Sequence, residues 1–319
     1  MKKNKYNILI ICLILLSLSF SFYFPDGSKD SGLNFLKLEY IPFSSGMGGA
    51  ISSLDKNVYA MHYNPAGLTG AKETVFFSHN NYPDEVFIEY LQYVKPLKKE
   101  SSLGLSVFYM FTTIDGINGN GEFIGDMGII NSAYSLSLSG KLIDLAVNNI
   151  KILYGVNINY LFLRSYKYKN HIFTIDAGLI LNVNNNINIG ISFLNNGTSV
   201  NNFLSGIDLN NNNNDSPLPV NLKIGISKNI KAVKTIVSFD IDNYLYENQI
   251  YKIGVKYSPF DLLNLMIGYK ILPDINNQFS FGFLSNFKFK GIGKVGISVS
   301  FTPTENIGSI VNFGLKIKL

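Results

Sequence analysis

From about Thr74 to Leu319 the chain alternates apolar and polar residues in fourteen short runs, none long enough for a membrane-spanning helix. The last run shows the pattern. Val311, Phe313, Leu315, Ile317 and Leu319 share one parity, and Asn312, Gly314, Lys316 and Lys318 the other. A strand turns successive side chains to opposite faces, so each run predicts a strand with one greasy and one wet face. The runs fall near Thr74–Asn80, Glu85–Val94, Leu103–Thr113, Met127–Gly140, Ile150–Ser165, Ile172–Val183, Ile187–Asn195, Leu218–Lys228, Val233–Asp242, Gln249–Ser258, Leu263–Ile271, Asn277–Asn286, Ile292–Thr302 and Gly308–Leu319. In the fifth, Ile150, Ile152, Tyr154, Val156 and Ile158 oppose Lys151, Gly155, Asn157 and Asn159.

Parity tests the count. An even series returns the chain to its starting side, with even-numbered connections short and odd-numbered ones long. The third (about Ile114 to Asp126) and seventh (about Asn196 to Pro217) are the longest. The sixth, Asn184-Asn185-Asn186, and the tenth, Pro259 to Leu262, are short. The fourth, Lys141 to Asn149, is longer than the rule expects. Asn210 to Asn214 with Asp215 form a low-complexity tract, read as a solvated loop.

Alternation alone does not separate a sandwich from a barrel. The N-terminus tips the balance. Lys2, Lys3 and Lys5 precede an apolar stretch, Ile8 to Leu16, and then small residues, Ser17 to Ser21, which reads as a cleaved signal peptide over residues 1–22. The stretch is short for a span of about 20 residues. Leu9-Ile10-Ile11-Cys12 lies too early in it for a lipoprotein site. Cys12 is the single cysteine, so the mature chain has no disulfide, thiolate metal site or cysteine nucleophile. Losing those three lysines takes the net charge from +5 to +2, which is no nucleic-acid surface. Charged residues are 15%, with 19 Tyr and 24 Phe, as suits a lipid-facing wall with aromatic interfaces; without Trp, Tyr and Phe must form the girdle. Backbone in hydrocarbon must be paired, so the sheet must close.

The expected fold is all-β: a 14-stranded antiparallel transmembrane β-barrel over residues 73–319, preceded by a small N-terminal helical plug over residues 23–72. That segment lacks alternation. A helical stretch is expected from Ala50 to Leu54, with Asp55 capping a second helix through Ala60 and His62. Lumen-facing candidates by parity are Asn157, Asn159, Asp176, Lys252, Lys256 and Ser280.

Residues 46–70 read GMGGAISSLDKNVYAMHYNPAGLTG. This resembles the N-terminal region of the FadL superfamily of outer-membrane proteins, in the style of its PorV/PorQ branch. The resemblance is carried by Gly48-Gly49-Ala50, Asp55 and Asn64-Pro65-Ala66-Gly67-Leu68; elsewhere it rests on strand number and rhythm. It implies 14 strands with the N-terminal segment folded inside as a hatch. Asn64 would then bond backbone at a helix end, Pro65 fix the turn, and Gly67 permit passage close to the wall. These read as positioning roles, and Asp55 as a helix cap, rather than as ligand contacts.

The transporter branch implies passage of a hydrophobic small molecule; the PorV branch implies a secretion or surface-attachment accessory that binds secreted protein cargo without solute transport. The other expected partner is outer-membrane lipid, and the chain is expected to be a monomer with both barrel ends periplasmic. Catalysis is not expected. His62, His79 and His171 are scattered, and Ser78 and His79 face opposite sides of one strand. Asp115, Asp126, Asp208 and Asp215 read as solvated loop charge rather than Ca²⁺ ligands, and Gly116 to Gly121 lies in a hairpin, not a phosphate loop. No cofactor or metal is expected.

Overall fold

The computed structural model describes residues 33–145, 149–165, 168–184, 186–197, 218–245, 247–273, 276–289, 291, 293–304 and 308–319. The expected signal peptide, the first part of the expected plug and the Asn210 to Asn214 tract lie outside the described residues.

Fourteen antiparallel strands close into a barrel. They are β1 Thr74–Tyr82, β2 Val86–Pro96, β3 Ser102–Ile117, β4 Phe123–Leu145, β5 Ile150–Ser165, β6 Tyr168–Val183, β7 Ile187–Gly197, β8 Asn221–Ile230, β9 Thr235–Tyr244, β10 Ile250–Phe260, β11 Leu263–Ile271, β12 Gln278–Phe289, β13 Gly293–Thr304 and β14 Gly308–Lys318. Each strand pairs with the next, and β14 returns to β1 in a register from Thr74↔Lys318 to Asn81↔Val311. The even-numbered connections and both barrel ends share one rim, here the lower; the odd-numbered connections form the upper rim.

Two connections differ from expectation. The third is not a long loop: β3 and β4 stay paired up to Ile117↔Phe123, so most of it is ladder. The fourth is short, because β4 runs to Leu145 and pairs with Ile150 after a bulge. Backbone groups that can pair continue to do so beyond the point where alternation fades.

The barrel is inside-out relative to a sandwich. On β14, Phe313 is 49% exposed and Asn312 fully buried. On β12, Phe279, Phe281 and Phe283 are exposed and Ser280 is buried. The apolar face forms the outer surface and the polar face looks inward, the arrangement of a wall that meets hydrocarbon.

Residues 33–72 lie inside. They comprise α1 (Pro42–Gly46) and short 3-10 turns at Asn34–Lys37, Val58–Ala60 and Pro65–Leu68. The expected Ala50–Leu54 helix is absent; that stretch is a turn flanked by irregular backbone, and the α-helix lies earlier, begun by Pro42 at its first position. The apolar core is built between this segment and one side of the wall: Tyr40, Phe43, Tyr59 and Met61 pack with Phe76, Ile88, Tyr90 and Phe108. The lumen is therefore not polar all round. Its β1–β3 side is aromatic.

On the opposite side the segment lies against inward glycines, several paired across strands: Gly155↔Gly178, Gly190↔Gly225 and Gly254↔Gly268. A methyl group at Gly155 would stand 2.2 Å from the carbonyl carbon of Pro65, at Gly178 2.0 Å from Asn64 Oδ1, and at Gly190 2.4 Å from the Ser52 carbonyl oxygen. At Gly254 it would stand 2.5 Å from the Met47 carbonyl oxygen, and at Gly268 2.0 Å from the Gly48 nitrogen. Inner chain and wall touch backbone to backbone.

Gly178→Ala or Gly268→Ala is therefore expected to lift the inner segment while leaving the barrel closed. Overpacking of this kind costs about 1–3 kcal/mol. Hydrogen exchange should read faster exchange at residues 44–70 with unchanged strand circular dichroism.

Candidate functional site

The segment's irregular backbone needs partners, because buried N–H and C=O groups left unpaired are costly. Inward polar side chains supply them. Asn157 Nδ2 donates to the Met61 carbonyl at 2.8 Å, Gln92 to that of Val58 at 2.8 Å, Ser78 to that of Tyr40 at 2.9 Å and Ser192 to that of Tyr63 at 2.7 Å. The Ser52 N–H donates to Asp240 Oδ2 at 2.8 Å.

Asn64 is the most connected residue of the motif. Its Oδ1 accepts from the Ala66 N–H, capping the Pro65–Leu68 turn. Its Nδ2 donates to the carbonyls of Ser52 at 2.8 Å and of wall residue Leu179 at 3.1 Å. Pro65 starts the turn, Ala66 lies over Gly155, and Leu68 is fully buried in the core. Gly67 differs from expectation: a methyl there would stand 2.4 Å from Ala60 Cβ and 2.6 Å from the Leu54 carbonyl oxygen, both of the segment itself. Asp55 is also corrected. Asn57 caps the Val58–Ala60 turn, and Asp55 instead accepts from Asn188 at 2.9 Å and Asn182 at 3.4 Å. Helix capping needs the residue adjacent to the turn, and Asn57 holds that position.

Gly48 and Gly49 have φ of 63° and 80°. A methyl at Gly49 would stand 2.2 Å from Glu39 Oε1 and 2.8 Å from Lys252 Nζ, so the missing side chain makes room for an ion pair. Ala50 beside it is fully buried. Lys252 Nζ lies 3.0 Å from Glu39 and 2.7 Å from Asp242; Lys223 lies 2.6 Å from Asp242, and Lys270 3.8 Å from Glu39. Ser44 and Tyr63 hydroxyls donate to the other Glu39 oxygen at 3.0 and 2.7 Å. Burial pushes the Glu39 carboxyl up, but Lys252, Lys270 and Lys223 more than offset it and hold it well below the usual carboxylate range. This tie between segment and wall was not foreseen from sequence. The signal for it was the pair of inward-parity lysines, Lys252 and Lys270, on neighbouring strands.

The lumen candidates all face inward but do not form one site. Asn157 and Asn159 both donate to Asp176 Oδ2, at 3.0 and 2.9 Å, at a bulge where the Asn195 N–H donates to its other oxygen at 2.7 Å. Lys252 belongs to the ion cluster. Ser280 and Lys252 line a cavity of about 220 Å³ toward the upper rim. Lys256 lines a larger one, about 470 Å³, at the lower rim.

A third cavity, about 50 Å³, lies between segment and wall. Phe35, Tyr40, His62, Tyr63 and Phe108 line one side; Asn159, Asp176 and Lys223 line the other. The Tyr40 ring lies 4.8 Å from Phe108 and 5.1 Å from Tyr90. His62 Nε2 lies 3.1 Å from Ser106 Oγ, with no acidic group bonded to the ring among the described residues, so nothing orients it as a base. Burial pushes His62 down to about 4. His79 and His171 point outward, to Glu89 and Tyr160. Among the described residues no cluster of three metal-ligating side chains occurs.

These features define a class: a closed 14-stranded barrel, apolar outside, with its N-terminal chain docked inside. No protein-family model and no curated sequence matches the chain. Solved structures share its fold. The toluene transporter TodX of Pseudomonas putida aligns over 88% of this chain and 98% of its own, at 14% identity and TM-score 0.61. The toluene transporter TbuX of Ralstonia pickettii aligns over 86% and 96%, at 13% identity and TM-score 0.59. The CymD monoaromatic hydrocarbon channel aligns over 86% and 95%, at 14% identity and TM-score 0.56.

Two outcomes follow. Glu39→Gln leaves Lys270 without a carboxylate and Lys252 with Asp242 alone, and breaking a buried pair costs about 3–5 kcal/mol; thermal denaturation should report that loss. His62 must be neutral to stay docked, so protonation favours release. Docking is complete above the ordinary 6.5 and weakens as pH falls toward about 4. Segment proteolysis across that range should accelerate, and His62→Gln should flatten the dependence.

Proposed function

We propose that this chain is an outer-membrane barrel of the FadL superfamily that passes a small hydrophobic solute, with residues 33–72 acting as its hatch. The supporting observation is the aromatic-lined cavity held between that segment and the wall, inside a barrel whose outer face is apolar. The structural neighbours are transporters of toluene and monoaromatic hydrocarbons, and a solute of that class suits Phe35, Tyr40 and Phe108. At about 50 Å³ the cavity is smaller than the ~150 Å³ apolar cavity that admits benzene. Passage therefore requires residues 35–40 to move, and the Glu39 ion pairs set the resistance to that movement. The reading makes the protein a monomer, not an enzyme, with both barrel ends in the periplasm.

A second reading, the PorV/PorQ-like accessory that binds secreted protein cargo, is favoured by one observation. Every neighbouring strand pair is hydrogen-bonded, so the ring of strands is closed.

A strain lacking the gene decides between them. Slower uptake of radiolabelled toluene, restored by the intact chain but not by a variant with the hatch cross-linked to the wall, supports passage. Normal uptake with missing surface proteins overturns it. The membrane placement has its own test: Phe313→Arg, at mid-strand on the outer face, should cost about 2–4 kcal/mol in bilayer refolding if it sits at the midplane.

A further inference from the structure

The cavity of about 470 Å³ opens at the lower rim, on the far side of the inner segment from the aromatic cavity. It is lined by Lys56, Lys72, Lys256, Lys294, Lys316 and Lys318, against two carboxylates, Asp55 and Asp261. Asp55 is already engaged by Asn188 and Asn182. Among the described residues none of the six lysines makes an ion pair.

Lys316 is the decisive one. It is 6% exposed, no carboxylate meets it among the described residues, and its Nζ lies over the Tyr59 ring at 5.4 Å. An unpaired cation held so deeply is costly unless something answers it. Its stem has a prepared place: its strand partner is Gly296, where a methyl would stand 3.0 Å from Lys316 Cε. The apolar part of the cavity is the stacked pair Phe43 and Tyr59, ring centroids 4.8 Å apart. A basic collar above an aromatic floor, in a concave site of drug-like volume, recognises one chemistry: an anionic group on an apolar body.

We propose that this vestibule is a binding site for a soluble amphiphilic anion, a carboxylate or phosphate carried on an aromatic or short aliphatic body, which enters from the lower rim. Lys316 and Lys256 meet the anionic group, and Tyr59 and Phe43 the body. Beside Lys316 the wall ladder, β12 to β14 and β1, is paired down to the rim at Lys294↔Lys318 and Thr74↔Lys318, so on that side the rim is the way in. The site does not depend on passage of a hydrophobic solute, because the inner segment separates it from the aromatic cavity.

The test is calorimetric titration of the full-length protein in zwitterionic detergent. The probes are phenyl phosphate, inorganic phosphate and neutral benzyl alcohol. Phenyl phosphate should bind, more weakly as salt rises, and more tightly than either of the others. The double variant Lys316→Met, Lys256→Gln should weaken it by about tenfold or more, whereas Lys98→Gln, on the same rim but outside the cavity, should leave it unchanged. Lys316→Met removes an unpaired buried charge, so the barrel should keep its melting temperature. The salt dependence of the unaltered protein tests the site without any variant. Absence of phenyl phosphate binding, binding indifferent to salt, equal affinity for benzyl alcohol or inorganic phosphate, or equal affinity in the double variant would each overturn the assignment.

Discussion

Everything inside this barrel depends on how closely a strand wall lets another backbone approach. Side chains pointing into the lumen would hold the inner segment away. Gly155, Gly178, Gly190, Gly254 and Gly268 remove them where the segment runs, and the gap to the wall falls to backbone contact. The segment's own Gly48 and Gly49 meet the wall from the other side. The contact is selective because both partners must lack bulk at the same height.

Close approach solves sterics but not hydrogen bonding. A chain with one short helix and no sheet of its own leaves most backbone donors and acceptors to be paired from outside. The residues between the glycines meet that need. Asn157, Gln92, Ser192 and Asp240 bond the segment's backbone, and Asn64 returns bonds to a carbonyl of the wall. The polar lumen is thus largely committed to holding the inner chain. What remains is divided by that chain into an upper ionic space, a small aromatic space and a basic lower space, each with its own chemistry.

The ionic tie has a different character from the hydrogen bonds. Glu39 brings one negative charge to a wall patch with three lysines and Asp242. Removing Glu39 leaves that patch with excess positive charge in a buried place, so the bond is strong against loss of either partner. Glu39 and Lys223 also line the aromatic cavity.

Period-two alternation over fourteen runs, the parity of connection lengths and the apolar last strand were enough to place strands and count them, because pairing in a barrel is local and each strand meets its sequence neighbours. The motif at residues 46–70 marked the chain that lies inside. The roles within it were less legible. Asp55 looked like a cap and Asn57 is one; Gly67 looked like the wall contact and the glycines of β5, β6, β10 and β11 are. Those glycines had been visible only as members of polar faces. What each inward residue touches is decided by contacts across more than a hundred residues of sequence, such as Asn64 with Leu179 or Glu39 with Lys252. A repeating local pattern fixes a wall, since its hydrogen bonds join neighbours in order; the filling of its interior is long-range packing, and only the closed barrel brings those partners together.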